Sequence, residues 1–261
     1  MTPAYSTEGF KRSKWRIDGI DTVVYEIGAG DPVVYFHGGG TYHGFEWARD
    51  LADAFRVIVP IHPGFGESGD ADFTSIDDYL LHYEMLFAGL DLETVHLIGA
   101  SMGGHMAARY AGQQRHEIGK LILVSPAGLK SGKASIPDWS KIPPDRQRAM
   151  FTADLAWLDP FWPEEPGPEW LALRQREGGM AMRTREDTEQ TDRRLREVLA
   201  GFDHPALLLW GEDDQVVPTG FIQDWQEVLP DAQVAIIPRG GHLLLDEFAE
   251  ARRVAKDFLL A

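Results

Sequence analysis

Short aliphatic runs separated by segments of helical spacing constrain this chain more than any other feature. The runs are Thr22–Gly28 (TVVYEIG), Pro32–Gly40 (PVVYFHGGG), the start of Arg56–Gly69 (RVIVPIHPGFGESG), Val95–Gly99 (VHLIG), Lys120–Gly128 (KLILVSPAG), Ala206–Gly211 (ALLLWG) and Gln233–Pro238 (QVAIIP). Nearly continuous apolar strands are those buried on both faces, which requires a mostly parallel sheet with helices on each side. The intervening segments supply them. FEWARDLADAF (Phe45–Phe55) and FIQDWQEVL (Phe221–Leu229) have helical spacing, as do GGHMAARYAGQQ and the closing DEFAEARRVAKDFLL. SIDDYLLHYEMLFAGL opens on Ser75 with Asp78 three residues on, the spacing of a capping box. Between Lys130 and Gly201 the strand rhythm stops. Proline and tryptophan precede a helical stretch (WLALRQREGGMAMRTREDTEQTDRRLREVL) expected to break at Gly178-Gly179. So long a strand-free stretch inside an α/β alternation predicts an inserted helical cap. The expected organisation is residues 1–129 and 202–261 as the two parts of one α/β core, with 130–201 as the cap.

One run ends in a way that an ordinary core strand does not need. In Val95–Gly104 (VHLIGASMGG) a strand pattern stops at Gly99, places Ser101 two residues later, and continues into glycines and a helix. Gly99-Ala100-Ser101-Met102-Gly103 is G-x-S-x-G between strand and helix, a turn that exposes a serine hydroxyl at the sheet's carboxyl edge. A serine nucleophile needs a histidine base, and the base an orienting carboxylate. His242 follows the last strand pattern, and the preceding one runs into Glu212, Asp213 and Asp214.

Taken together, these motifs resemble the α/β-hydrolase superfamily, of the single-domain type with a helical cap. The resemblance covers nearly the whole chain outside the cap. It selects Asp214 within G-x-x-D-x-x-V-P and His242 within Gly241-His242, giving the triad Ser101, Asp214, His242. In relatives that carry the acid one strand earlier, the position corresponds here to Ser125-Pro126-Ala127, which holds no carboxylate. The resemblance also implies an oxyanion hole from the amides of Met102 and Gly39, with Gly38 and Gly40 as alternative registers. His37 and Ser68 are expected to brace loops, and His105 to be a buried, satisfied side chain. Trp157, Phe161, Trp162 and Trp170 are candidates for a substrate pocket beneath the cap, with Leu243 beside the histidine.

Composition narrows the partners. Forty-one acidic against 25 basic residues give a formal charge of −16, a field that repels nucleic acid and anionic membrane surfaces. No run reaches the roughly 18 apolar residues of a membrane span, and the N-terminal stretch has no signal-peptide core. The chain has no cysteine, which removes disulfides and thiolate chemistry and fits a cytoplasmic location. No histidine–carboxylate cluster has metal-ligand spacing. The implied reaction is acyl transfer from a small, mostly apolar ester or lactone to water, with no cofactor. Two alternatives stand beside it. Hydrolases of carbon–carbon bonds in vinylogous diketones resemble this chain in the HGGG loop and in Ser101-Met102-Gly103-Gly104. Many of them have Asn before the serine and Trp after the histidine, where this chain has Ala100 and Leu243. The other alternative is a ligand receptor on the same fold. Epoxide hydrolases and haloalkane dehalogenases of this fold normally use an Asp nucleophile, against Ser101. Oligomeric state leaves no mark in the sequence.

Overall fold

The computed structural model describes residues 5–113 and 116–261. Eight strands form one sheet: β1 (Lys11–Ile17), β2 (Ile20–Ile27), β3 (Asp31–Phe36), β4 (Phe55–Pro60), β5 (Thr94–Ala100), β6 (Glu117–Val124), β7 (Ala206–Gly211) and β8 (Gln233–Ile237). Their order is β1-β2-β4-β3-β5-β6-β7-β8. β1 and β2 pair antiparallel, as do β2 and β4; the rest of the sheet is parallel. The helices are α1 (Ile76–Gly89), α2 (Met102–Gly112), α3 (Pro144–Phe151), α4 (Leu155–Leu158), α5 (Pro168–Arg183), α6 (Thr188–Leu199), α7 (Ile222–Val228), α8 (Leu244–Glu247) and α9 (Ala249–Leu260).

The central strands carry the core because both of their faces are covered. Val33, Val34, Leu97, Ile98, Leu121, Ile122, Leu208 and Leu209 are all fully buried. β1 escapes the aliphatic signature because it is an edge strand: KRSKWRI turns charged side chains to solvent and buries only Ile17. The helix expected over Phe45–Phe55 is shorter, a 3₁₀ turn over Glu46–Leu51, and Phe55 instead opens β4. The Ser75–Asp78 capping box is present in both directions.

Among the described residues, the stretch from 130 to 201 holds helices and one 3₁₀ turn (Trp139–Lys141) but no strand. The expected break at Gly178-Gly179 does not occur, and α5 runs through both glycines. They cost helix propensity, but their neighbours Glu177 and Met180 are anchored in the protein. The chain breaks instead after Arg183, and α6 restarts on Asp187, whose side chain accepts from Gln190 N.

Candidate active site

The loops after β3, β5, β7 and β8 emerge from the same carboxyl edge of the sheet, where open α/β sheets hold their ligands. Ser101 directly follows β5 and caps α2 with φ 53° and ψ −116°, a conformation that a non-glycine residue keeps only when its surroundings enforce it. Backbone bonds on both sides do so: Ser101 N donates to Val124 O, and Ser101 O accepts from the amides of Gly104, His105 and Ala127. The flanking glycines are steric requirements. A Cβ on Gly99 would lie 2.3 Å from Gly103 O, and one on Gly103 would lie 2.0 Å from Phe36 O. Met102 begins α2, so its N–H has no intrahelical acceptor and sits at the positive end of the helix.

The base and acid come together from the next two loops. His242 Nδ1 donates to Asp214 Oδ2 at 2.8 Å, and both side chains are buried. Asp214 Oδ1 accepts from Val216 N and Val217 N at 2.8 and 2.9 Å. Burial pushes the Asp214 carboxyl up, but the imidazole of His242 and the Val217 amide outweigh it and hold the group below the usual carboxylate range. Its neighbours act elsewhere: Glu212 accepts from Arg239 N, and Asp213 is exposed.

The loop after β3 is held from beneath by two neutral histidines. His37 Nε2 accepts from His62 N, which leaves Nδ1–H to donate to Gly38 O at 2.8 Å. His62 Nε2 in turn donates to His37 O. Ser68 braces the neighbouring loop, accepting from Val23 N and donating to Ile61 O. Burial lowers the His37 imidazole well below its ordinary 6.5, and lowers His62 and His105 to about 3. The unfolded chain would protonate all three near 6.5, so below that pH it binds more protons than the native state, and stability falls as pH falls. Unfolding free energy is therefore expected to fall between pH 7 and pH 5, by at most about 2 kcal/mol per imidazole, and the urea midpoint with it. A midpoint that stays flat or rises over that interval would overturn this account.

Ser101 lies where two cavities meet. The smaller, of about 170 Å³, is lined by Gly38, Gly39, Gly40, Ser101 and His242, with Tyr42, Phe151, Arg174, Leu243 and Asp246 among its walls. The larger, of about 300 Å³, shares Gly39, Ser101 and Trp139 and extends past Met102, Leu129, Ile136 and Met182 to Arg185. Ser101, His242, Gly39 and Leu243 are thus brought to one cavity, and Met102 lines the other. Trp157, Phe161 and Trp162 line neither and correct the expected pocket. Trp157 and Phe161 face an outer polar cleft with Asp50 and Arg252, while Trp162 packs between Tyr42, Phe151 and Trp170. α4 and the turn after it pack these rings against one another, and Trp139 and Phe151 line the cavity in their place. Trp170 is likewise tied back, donating Nε1–H to Phe161 O. His105 is buried as expected but not satisfied: the residue lines the larger cavity, and its buried Nε2 has no partner among the described residues.

Residues with no sequence signal join the helical segment to the site. Glu177, fully buried on α5, accepts from Thr41 Oγ1 at 2.5 Å and Thr41 N at 3.3 Å, from Gly66 N at 3.1 Å and from Arg174 Nη1 at 2.8 Å. On the other side, Glu247 accepts from Ala153 N and Asp154 N, and the amides of His242 and Leu243 both donate to Phe151 O.

A parallel sheet with a strained serine after its central strand and a His–Asp pair after its last two defines the architecture of a hydrolase. Residues 33–256 match the model of the alpha/beta hydrolase family, and the chain belongs to that family. It is 26% identical to 2-hydroxy-6-oxo-2,4-heptadienoate hydrolase of Pseudomonas putida, over 93% of this chain and 94% of that protein. It is 25% identical to Lipase 1 of Psychrobacter immobilis, over 89% and 79%. The meta-cleavage product hydrolase of Pseudomonas fluorescens IP01 superposes with a TM-score of 0.76 at 21% identity, covering 95% of this chain and 97% of that one.

Proposed function

We propose that the protein is a serine-dependent hydrolase of a small, mostly apolar ester or lactone. The observation that carries this reading is the position of Ser101 between two cavities, with the His242–Asp214 pair on the wall of one. In this reading the helical segment 130–201 is a cap that closes both cavities. His242 Nε2 takes the Ser101 proton as Oγ attacks the carbonyl carbon, and Asp214 holds the imidazole in the tautomer that leaves Nε2 free to accept. The amides of Gly39 and Met102 receive the developing oxyanion. His242 then protonates the leaving alcohol, and water, deprotonated by the same histidine, releases the acid and restores Ser101. Two cavities give the acyl group and the leaving group separate places. The lipase relative supports ester chemistry for a chain of this kind.

Hydrolysis of a carbon–carbon bond is the second reading, and the named activity of the Pseudomonas putida relative supports it equally. Arg185 favours it within this chain: an exposed guanidinium on the rim of the larger cavity is suited to a substrate carboxylate. A panel of p-nitrophenyl esters from acetate to decanoate separates the two. Turnover is expected to be highest for short acyl chains and to fall steeply once the chain outgrows the smaller cavity. Inertness to every ester, with cleavage of a vinylogous diketone acid, would replace the first reading with the second.

A further inference from the structure

Two residues on the wall of the smaller cavity carry buried polar atoms that take no part in the chemistry proposed above. Tyr42 is buried, and its Oη has no hydrogen-bond partner among the described residues. His43 is buried beside it; its Nδ1 lies 3.3 Å from Asp246 Oδ2 but out of hydrogen-bond geometry, and it too is unpartnered. Tyr42, His43 and Asp246 all line the cavity that contains Ser101 and His242. Folded proteins rarely leave a buried polar atom without a partner, and two from residues of one cavity wall point to a ligand group that pairs with them.

The surrounding charges decide what that group is. The Arg174 guanidinium lies 4.6 Å from the Tyr42 ring centroid, but its charge is already met by Glu177 at 2.8 Å. A ligand carboxylate would face the Asp246 carboxylate while Arg174 is held by Glu177, and an ammonium, which only donates, would leave the Tyr42 hydroxyl proton without an acceptor. A neutral group that both accepts and donates meets neither obstacle. We propose that Tyr42, His43 and Asp246 form a hydroxyl-recognition subsite, so that the preferred acyl group is a short hydroxyacyl chain. Its hydroxyl accepts from Tyr42 Oη and donates to Asp246 Oδ2 or His43 Nδ1. The cavity, at about 170 Å³, is close to the ~150 Å³ that admits a benzene ring, which limits the acyl group to roughly six non-hydrogen atoms. The assignment rests on the reading of Ser101 as an ester hydrolase.

The test compares kcat/KM for ethyl 3-hydroxybutanoate, ethyl butanoate and monoethyl succinate, followed by acid release at constant pH. The wild-type protein is expected to favour the hydroxyester over the plain ester by about tenfold or more, and Tyr42→Phe to bring that ratio near one. Equal values in an active wild type, a ratio unmoved by Tyr42→Phe, or a preference for the succinate ester would each overturn the subsite. If no ester is turned over, it is the ester-hydrolase reading that fails, and the subsite is then judged by binding. Ser101→Ala protein, titrated by ligand-observed NMR, is expected to hold ethyl 3-hydroxybutanoate about tenfold more tightly than ethyl butanoate, with the difference lost on adding Tyr42→Phe. Equal affinities there would overturn it.

Discussion

Ser101→Ala is expected to lower kcat on the best p-nitrophenyl ester by a factor on the order of 10⁶, leaving only what binding and the oxyanion donors supply. Folding should be nearly unaffected, because alanine occupies the same φ of 53° and the backbone bonds to Val124, Gly104 and Ala127 remain. Ser101→Gly should be equally inactive yet more stable, by about 1–3 kcal/mol, since glycine removes the cost of the strained conformation. The two variants together separate chemistry from strain: one assay reads ester turnover, and urea unfolding reads the midpoint. A Ser101→Ala protein that retains even a hundredth of wild-type turnover would show that another group delivers the nucleophile. A Ser101→Gly protein no more stable than Ser101→Ala would show that the elbow stores no strain.

The second large effect is expected at Glu177. Glu177→Ala leaves the Arg174 guanidinium without its carboxylate and strips acceptors from Thr41 and Gly66, where the helical segment meets two core loops. Removing one partner of a buried ionic cluster costs about 3–5 kcal/mol, and the urea midpoint should fall accordingly. Thr41 directly follows Gly38–Gly40, so the loss should also reach the reaction. Displacing a positioning loop by about 1 Å costs on the order of 10²-fold, and this should fall mainly on kcat rather than KM. Glu177→Gln, which keeps the shape and one carbonyl acceptor, should recover part of both. If Glu177→Ala lowers stability but leaves kcat untouched in the folded fraction, Glu177 ties the helices down without positioning the loop. If neither changes, the cluster has no energetic weight.

Local chemistry explains what could be read from the sequence. The parallel core was legible because strands buried on both faces have to be aliphatic along their whole length, as in Ala206–Gly211, buried at every position. The elbow was legible because Gly99 and Gly103 leave no room for a Cβ and therefore cannot vary freely. The loops after adjacent strands must meet at one edge of the sheet, which brought His242 together with Glu212, Asp213 and Asp214; the resemblance to the hydrolase motif then singled out Asp214. β1 was not legible: an edge strand with one face in water resembles a polar terminus, and only its ladder with β2 reveals it.

The helical segment marks the boundary between the two kinds of information. Its composition announced helices, but the direction each ring takes depends on how α3 to α6 pack over the sheet. That packing turned Trp157 and Phe161 outward and set Phe151, Trp139 and Arg174 into the cavity walls. Nothing near Glu177 in the chain indicates that it meets Thr41 and Gly66 more than a hundred residues earlier. The sequence alone determined the parallel core of the sheet, the strained serine and the order of its partners, because each follows from backbone sterics or strand burial within a few residues. Tertiary structure alone decided the shape of the two cavities and which polar atoms remain unpaired on their walls, because these depend on contacts between segments that no local rule relates.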